Sequence, residues 1–299
     1  MLTIVGFVLG ASAFITGELA ITGIVRPEAR AILVALGILG AALLFAGLVY
    51  TLARQLRRRR VLPPERYRGP SIVLLLAFAI LLATVATLPF TEDVNAVLLG
   101  EGEPTLAGAI VLITSTQVAL LLVTWAFVLR PRAIAFAMPL LGSNRPRALI
   151  AGMGWGVVAW IVATVVTYAI VVLLEQVGIE PDQQAAERAI GFLEPWLVVV
   201  AVVIVAPIAE EVFFRGVAFN AWLRERGRRF AYIGSAALFA AIHVALVSLV
   251  PIFLLGLALA WVYRRTGGLL APIAMHATFN AISIGIALLV RYEVIRPPV

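Results

Sequence analysis

The chain has 299 residues, of which 63% are hydrophobic and only 13% are charged, and its mean hydropathy is +1.06. This balance excludes an ordinary soluble domain, because water could not solvate so much apolar surface. The absence of cysteine excludes disulfide bonds, thiolate metal sites and a cysteine nucleophile. The net charge of +7 comes from arginine alone, since there is no lysine, and most arginines lie in a few short loops. That distribution indicates membrane topology and argues against a nucleic-acid partner.

Nine apolar segments follow one another along the chain, and most are near the roughly 20 residues that a helix needs to cross a bilayer. In chain order they are about Leu2–Val25, Ala31–Leu52, Ser71–Leu88, Leu106–Leu129, Ala148–Leu174, Pro195–Phe214, Ala231–Val250, Pro251–Tyr263 and Leu269–Val290. The eighth segment is too short to span upright and Pro251 separates it from the seventh, so these two are predicted to form a hairpin or a broken helix. The sequence therefore predicts an all-α, polytopic transmembrane helical bundle of eight or nine spans.

The charged loops between the segments predict their orientation. Arginines are concentrated at residues 54–68, 130–147, 224–229 and 264–265, whereas acidic residues are concentrated at 92–103 and 175–187. Under the positive-inside rule the four basic loops are cytoplasmic, and the N-terminus is then cytoplasmic as well. The arginine-, alanine- and glycine-rich composition indicates a prokaryotic plasma membrane, with membrane lipid as a partner.

The arginine- and proline-rich loop at residues 130–147 divides the chain into two regions. Residues 1–147 form an N-terminal region of about four apolar spans, to which the sequence assigns no role. Residues 148–299 carry polar side chains inside their spans and are predicted to hold the functional site.

Ionisable residues inside apolar segments are rare in this chain. Of the sixteen carboxylates, only Glu18, Glu210 and Glu211 fall within or at the end of a predicted span. The chain has two histidines, His243 and His276, and both lie inside apolar segments. A charged group at membrane depth costs from about 2.5 kcal/mol upward, so such groups persist mainly where they pair, line a cavity or take part in chemistry. Glu18 stands alone and is interpreted as a packing or interfacial residue.

Glu210 and Glu211 close the sixth segment on its cytoplasmic side. Glu211 and Arg215 are four residues apart and can form an ion pair on one helix face. Glu210 is turned away from Glu211 by about 100° and is left as the carboxylate without a partner. The alternative interpretation is that both glutamates are interfacial anchors of a solvated helix end.

Each histidine has a companion residue one helical turn away. His243 lies near the middle of the seventh segment and follows Phe239 by four residues, while His276 precedes Asn280 by four, so each pair shares a helix face. A carboxylate and a neutral imidazole can activate a water molecule, and a histidine with an asparagine can donate hydrogen bonds to an oxyanion. Taken with Glu210, these residues match the needs of peptide hydrolysis without a serine or cysteine nucleophile.

A divalent metal, with zinc as the candidate, is an alternative use of the same residues. Glu210, His243 and His276 would make an open three-ligand site assembled between helices. The short HExxH pattern of many zinc peptidases is absent, so the sequence indicates no cofactor with certainty.

The polar motifs, taken in order, resemble those of the CPBP family of intramembrane endopeptidases, which includes the CAAX-prenyl endopeptidase of the endoplasmic reticulum and bacterial Abi proteins. The motifs are Glu210-Glu211-x-x-x-Arg215, Phe239-x-x-x-His243 and His276-x-x-x-Asn280. The resemblance covers about residues 195–290. It implies that Glu210 is the water-activating base assisted by His243, and that His276 and Asn280 stabilise the oxyanion. It also implies that Glu211 and Arg215 support the site.

The resemblance implies an intramembrane endopeptidase, of metallo- or glutamate type, that cleaves membrane-associated protein or peptide substrates, with lipidated chains among them. Two other functions fit the same residues. One is a non-catalytic immunity or scaffold protein of the same fold. The other is a proton-coupled transporter in which Glu210, His243 and His276 relay protons.

Overall fold

The structure is a computed structural model, and it describes residues 27–99, 102–134, 145–178, 193–243 and 247–294. The regular elements in these ranges are helical. In chain order the helices are α1 Pro27–Arg59, α2 Ile72–Thr87, α3 Thr91–Leu99, α4 Leu106–Thr124, α5 Arg145–Gln176, α6 Pro195–Arg226, α7 Arg228–Ala241, α8 Leu249–Thr266 and α9 Leu270–Arg291. A 3-10 turn, Leu88–Phe90, joins α2 to α3, and a π-helical turn, Trp125–Leu129, extends α4.

Within the described residues, seven helical stretches are long and apolar enough to cross a membrane. They are Leu39–Arg59, Ile72–Val97, Leu106–Leu129, Pro146–Gln176, Pro195–Arg226, Leu249–Thr266 and Leu270–Arg291. The predicted all-α, polytopic membrane class is therefore confirmed, and the chain is an integral membrane protein. The first predicted segment, which contains Glu18, lies outside the described residues, so the total of eight or nine spans stays a prediction.

The seventh and eighth segments differ from their prediction. Helix α7 ends at Ala241, so the chain breaks well before Pro251 and not at it. Pro251 lies in the first turn of α8, where an N–H would have no helical partner and proline is tolerated. Helix α8 has 18 residues and is long enough to span, so the prediction that the eighth segment is too short is wrong. The shorter member is α7, with 14 residues.

Three of the basic loops meet at one end of the bundle. Arg59, at the end of α1, forms an ion pair of 2.7 Å with Glu225, near the end of α6. In the loop between α1 and α2, the backbone N–H of Arg68 donates to the carbonyl of Ala133 at 2.8 Å. The positive-inside argument requires these loops to share one side of the membrane, and the contacts agree with that requirement. Which side faces the cytoplasm stays a prediction.

The main hydrophobic core lies between the N-terminal helices and α6. Leu52 of α1, Leu75 of α2 and Leu120 of α4 belong to the same buried cluster as Phe213 of α6 and Met275 of α9. Side chains from both sides of the predicted division at 130–147 therefore pack together. This packing holds the middle of α6 against its neighbours.

Candidate functional site

The two glutamates lie about half-way along α6. The sequence predicts a segment that ends at Phe214, with the glutamates at its cytoplasmic end, but the helix continues to Arg226. At 1.5 Å per residue, Glu210 is roughly 22 Å from either end of the helix. The predicted end of the segment at Phe214 is therefore wrong, because the apolar segment and its polar extension form one continuous helix.

The winding of α6 changes on both sides of the glutamates. An α-helical stretch, Ala206–Glu211, lies between two π-helical stretches, Val199–Val205 and Val212–Phe219. π-Helical turns are rare, leave backbone carbonyls to be satisfied by other groups, and occur often at functional sites. The glutamates thus lie in a short α-helical stretch with an irregular stretch on each side.

Glu211 and Arg215 form the ion pair that their spacing predicts. Arg215 Nη1 lies 2.7 Å from Glu211 Oε1, and both side chains have 0% exposure. The second terminal nitrogen of Arg215 donates to the carbonyl of Gly256 in α8 at 3.0 Å, and the guanidinium carbon lies 4.6 Å from the centre of the Phe239 ring. A buried cation needs such compensation, so Arg215 joins α6, α7 and α8.

His276 connects the two glutamates. Its Nδ1 lies 3.2 Å from Glu211 Oε1, and its Nε2 lies 4.0 Å from Glu210 Oε2. Glu211 Oε1 already accepts from Arg215, so it is assigned as the acceptor here too, and the contact selects the His276 tautomer with its proton on Nδ1. The lone pair on Nε2 then faces Glu210.

Glu211 Oε2 and Arg215 Nε are also buried without a hydrogen-bond partner among the described residues, but Glu210 is the one charged side chain of this group that forms no hydrogen bond to the others. Its Oε2 is buried and has no hydrogen-bond partner among the described residues, while the side chain as a whole is 11% exposed. A separation of 4.0 Å from His276 Nε2 is too long for a direct hydrogen bond. Glu210 Oε2 has almost no accessible surface in this arrangement, so a water molecule that bridges the two atoms requires the side chains to move apart.

His243 lies in the turn that follows α7, and its side chain is exposed. The prediction that it sits near the middle of a helical span is therefore wrong. Its Nδ1 is 2.8 Å from the carbonyl of Phe239. The Phe239 ring centre is 4.8 Å from that of His243 and 5.6 Å from that of His276. The Phe239 ring thus contacts both imidazole rings. Of the two histidines, His276 is the one that lies near Glu210.

Asn280 lies one turn beyond His276 on α9, as its spacing predicts. Its amide nitrogen donates to the carbonyl of Val202, in the first π-helical stretch of α6, at 2.8 Å. The side chain therefore already binds the helix that carries Glu210.

Sequence reasoning missed two glycines that set the position of α9. Gly152 and Gly156 of α5 lie directly against the α9 backbone. A Cβ atom at Gly156 would be 2.6 Å from the carbonyl oxygen of Met275, and one at Gly152 would collide with that of Ala271. Small residues four apart are a known signal for close helix packing in membranes, and that pattern could have identified them.

The described residues offer no ready three-ligand metal site. No group of three or more His, Cys, Asp or Glu side chains in these ranges is arranged to hold a metal ion. The hydrogen bond of His276 Nδ1 to Glu211 leaves Nε2 available as a ligand, but His243 lies in the exposed turn beyond Phe239. Glu210 and His276 alone are near enough to share a ligand, so zinc remains an alternative without a complete donor set.

A cavity of about 480 Å³ opens beside α9, between α5 and the start of α8. Its lining includes Trp160, Thr164 and Tyr168 of α5, Ser248 before α8, and Phe279 of α9. Ser248 follows the turn that contains His243, and Phe279 adjoins Asn280. The cavity is mainly apolar, and none of Glu210, His243, His276 and Asn280 is among the residues that line it.

Comparison with known proteins concerns the C-terminal region. Residues 192–282 match the family described as Type II CAAX prenyl endopeptidase Rce1-like, and this range contains all of the polar motifs. The chain is 32% identical over 84 residues to the Bacillus subtilis (strain 168) protein named "Putative membrane peptidase YdiL". That alignment covers 28% of this chain and 34% of the relative, so the chain spans about a third of the relative's length. No solved structure matches.

Proposed function

We propose that this integral membrane protein is an endopeptidase, because residues 192–282 are similar to the family of Type II CAAX prenyl endopeptidases described as Rce1-like. It hydrolyses peptide bonds of membrane-associated proteins or peptides, with lipidated chains among the candidate substrates. The single observation that carries the proposal is the buried, unpartnered Oε2 of Glu210, 4.0 Å from the Nε2 of His276. A prokaryotic plasma membrane and a cytoplasmic N-terminus are part of the proposal.

In the proposed mechanism, Glu210 activates a water molecule. The water lies between Glu210 Oε2 and His276 Nε2, and its oxygen attacks the carbonyl carbon of the scissile amide. Glu210 takes the proton that the water releases, and the same proton passes to the leaving nitrogen when the C–N bond breaks. Water, amide, acid product and amine product then balance without a covalent enzyme intermediate.

His276 is proposed to orient the water, and Glu211 to orient His276. The hydrogen bond from Nδ1 to Glu211 selects the tautomer whose Nε2 can accept a hydrogen bond from the water, as a carboxylate does for the histidine of a hydrolase triad. Arg215 holds the Glu211 side chain in place, since the two side chains are 2.7 Å apart and fully buried. Support for this assignment is that every distance in the chain of contacts is within 4.0 Å.

His243 is proposed to act on the substrate side. The hydrogen bond of His243 Nδ1 to a carbonyl leaves Nε2 as an acceptor on an exposed ring, which suits it to accept a hydrogen bond from the hydroxyl group of the tetrahedral intermediate. For Asn280, whose amide nitrogen already donates to the Val202 carbonyl, donation to the oxyanion through its second N–H is the alternative to a role in holding α6 and α9 together. The alternative use of Glu210, His243 and His276 as metal ligands would supply Lewis-acid chemistry at the same carbonyl.

The apolar cavity between α5, α8 and α9 supports a substrate that lies partly in the membrane. Trp160, Tyr168 and Phe279 give it aromatic walls, and Thr164 and Ser248 add hydroxyl groups. A peptide with an apolar or lipidated segment fits such a surface better than a fully hydrated chain does.

The test is cleavage by the purified protein in proteoliposomes, measured by mass spectrometry with farnesylated and unmodified peptide libraries. Glu210→Gln keeps the shape of the side chain and removes the base, and we expect cleavage to fall by at least about a thousandfold. Glu194→Gln, an exposed position at the start of the same helix, is the matched control and should retain activity. Unchanged cleavage by Glu210→Gln would overturn the mechanism. Proton-coupled uptake, or folded protein that cleaves no peptide, would instead favour a transporter or an immunity or scaffold protein.

A further inference from the structure

The carbonyl of Val202 lacks the two backbone donors that its position in the helix would usually provide. In an α-helix it would accept from the N–H of residue 206, and in a π-helix from that of residue 207. Here the N–H of Ala206 donates to the carbonyl of Ala201, five residues back. Residue 207 is proline, which has no N–H. Val202 therefore needs a donor from elsewhere, because an unsatisfied carbonyl at membrane depth is strongly unfavourable.

Asn280 supplies that donor. Its amide nitrogen is 2.8 Å from the Val202 carbonyl oxygen, and it reaches there from α9, one turn beyond His276. The bond thus connects the helix of His276 to the helix of Glu210, two turns before Glu210 itself.

The second π-helical stretch of α6 has the same kind of support. The amide nitrogen of Asn220 lies 2.8 Å from the carbonyl of Arg215 and 3.1 Å from that of Gly216. Each irregular stretch beside the glutamates is therefore stabilised by one asparagine amide. Asn220 acts within α6 and also donates to the Tyr263 hydroxyl of α8 at 2.7 Å, whereas Asn280 acts between α9 and α6.

We propose that Asn280 is a positioning residue, which substitutes for the N–H that Pro207 lacks and thereby sets the distance between His276 and Glu210. Only the kinetic test of this role rests on the proposed peptidase function. The geometric part concerns how α6 and α9 are held, and it can be measured without any substrate.

The test uses Pro207→Ala, which returns an N–H to residue 207 in register with the Val202 carbonyl. Asn280→Ala is made in the wild-type and Pro207→Ala backgrounds, and Asn220→Ala in both backgrounds is the matched control. We expect Asn280→Ala to lower kcat about tenfold or more in the wild-type background and less than about threefold in the Pro207→Ala background, whereas KM changes little in either. The effect of Asn220→Ala should be the same in both backgrounds.

A direct contact with the oxyanion predicts a different result. In that case Asn280→Ala lowers kcat by about a hundredfold or more whatever residue stands at position 207. Equal losses in the two backgrounds would overturn the positioning role.

A measurement that needs no activity keeps the inference testable if Pro207→Ala is poorly active. In amide hydrogen exchange of the detergent-solubilised protein, Asn280→Ala should speed exchange in peptides from residues 199–211 and leave α1 and α2 unchanged. Unaltered exchange at 199–211 would reject the inference. If exchange responds as expected but the wild-type protein cleaves nothing, the structural role stands and the proposed peptidase function fails.

Discussion

The N-terminal and C-terminal regions satisfy their intramembrane polar groups in different ways. In α1, α2 and α4, hydroxyl groups donate to carbonyls of the same helix four residues back; the pairs are Thr51 to Gly47, Thr84 to Ile80 and Thr114 to Ile110. In α6 and α9, buried ionisable groups bind one another across helices, as Glu211, Arg215 and His276 do.

This difference determines how strongly the polar groups of each region constrain the positions of neighbouring helices. A hydroxyl that its own helix satisfies places no condition on the neighbouring helix. The N-terminal helices are positioned by apolar packing and, at their loop end, by contacts such as the Arg59–Glu225 ion pair. A buried carboxylate or guanidinium cannot be satisfied by one helix, and its partners fix the positions of several helices at once. The polar contacts therefore fix the relative positions of the C-terminal helices, and the N-terminal helices pack against them through apolar side chains.

The largest expected effect comes from breaking the ionic network. Arg215→Met leaves Glu211 buried without its cation, and we expect a loss of about 3–5 kcal/mol in the free energy of unfolding. Denaturant unfolding in detergent, followed by intrinsic fluorescence, would measure it. The same change at the partly exposed Arg265 should cost less than about 0.5 kcal/mol.

A double variant sharpens this prediction. Glu211→Gln combined with Arg215→Met removes both charges, and it should recover much of the lost stability, because no unpaired charge remains. A double variant no more stable than Arg215→Met would show that shape, and not charge balance, dominates here.

A smaller effect is expected where α5 supports α9. Gly156→Ala adds a methyl group 2.6 Å from the Met275 carbonyl oxygen, so the helices must separate, at a cost of about 1–3 kcal/mol. Because Met275 adjoins His276, we also expect peptide cleavage to fall about tenfold. A methyl group at Gly154, on the same helix, would have no atoms of other elements within 4 Å among the described residues, and Gly154→Ala should leave both stability and cleavage near wild type. Equal effects of the two substitutions would contradict the packing argument.

The smallest effect, with opposite sign, is expected at the loop between α1 and α2. Tyr67 is 1% exposed and its hydroxyl has no hydrogen-bond partner among the described residues, and burial raises the pKa of this phenol. Tyr67→Phe removes an unsatisfied group and should stabilise the protein by about 0–1 kcal/mol near neutral pH.

The pH dependence of Tyr67→Phe follows from the same shift. A raised pKa in the folded state means that the folded protein holds the proton more tightly, so the wild type loses stability as the pH rises above about 10, the ordinary pKa of tyrosine. The variant lacks this group, and its advantage in melting temperature should grow between about pH 9 and 11. An advantage that stays constant over this range would contradict the assigned burial.

Local patterns in the sequence determined the helical membrane class and much of the polar pairing. Hydropathy predicted α4 and α9 within a residue or so at most ends, because a span must bury its own backbone polar groups in helical hydrogen bonds. The pairing of Glu211 with Arg215 and the shared face of His276 and Asn280 follow from helical periodicity alone. Each of these depends on residues within one or two turns of each other.

Only the tertiary structure decided how the helices bring these groups together. The approach of His276, and not His243, to Glu210 depends on how α9 packs against α5 and α6, which no local pattern records. The end of α7 before His243 likewise escaped the sequence, since its apolar residues continue into a turn. The pairing of Asn280 with Val202 joins residues 78 apart, and it exists because Pro207 removes a donor from another helix. Contacts between residues so far apart in the sequence depend on how the helices pack, and helix packing is determined only in the assembled bundle.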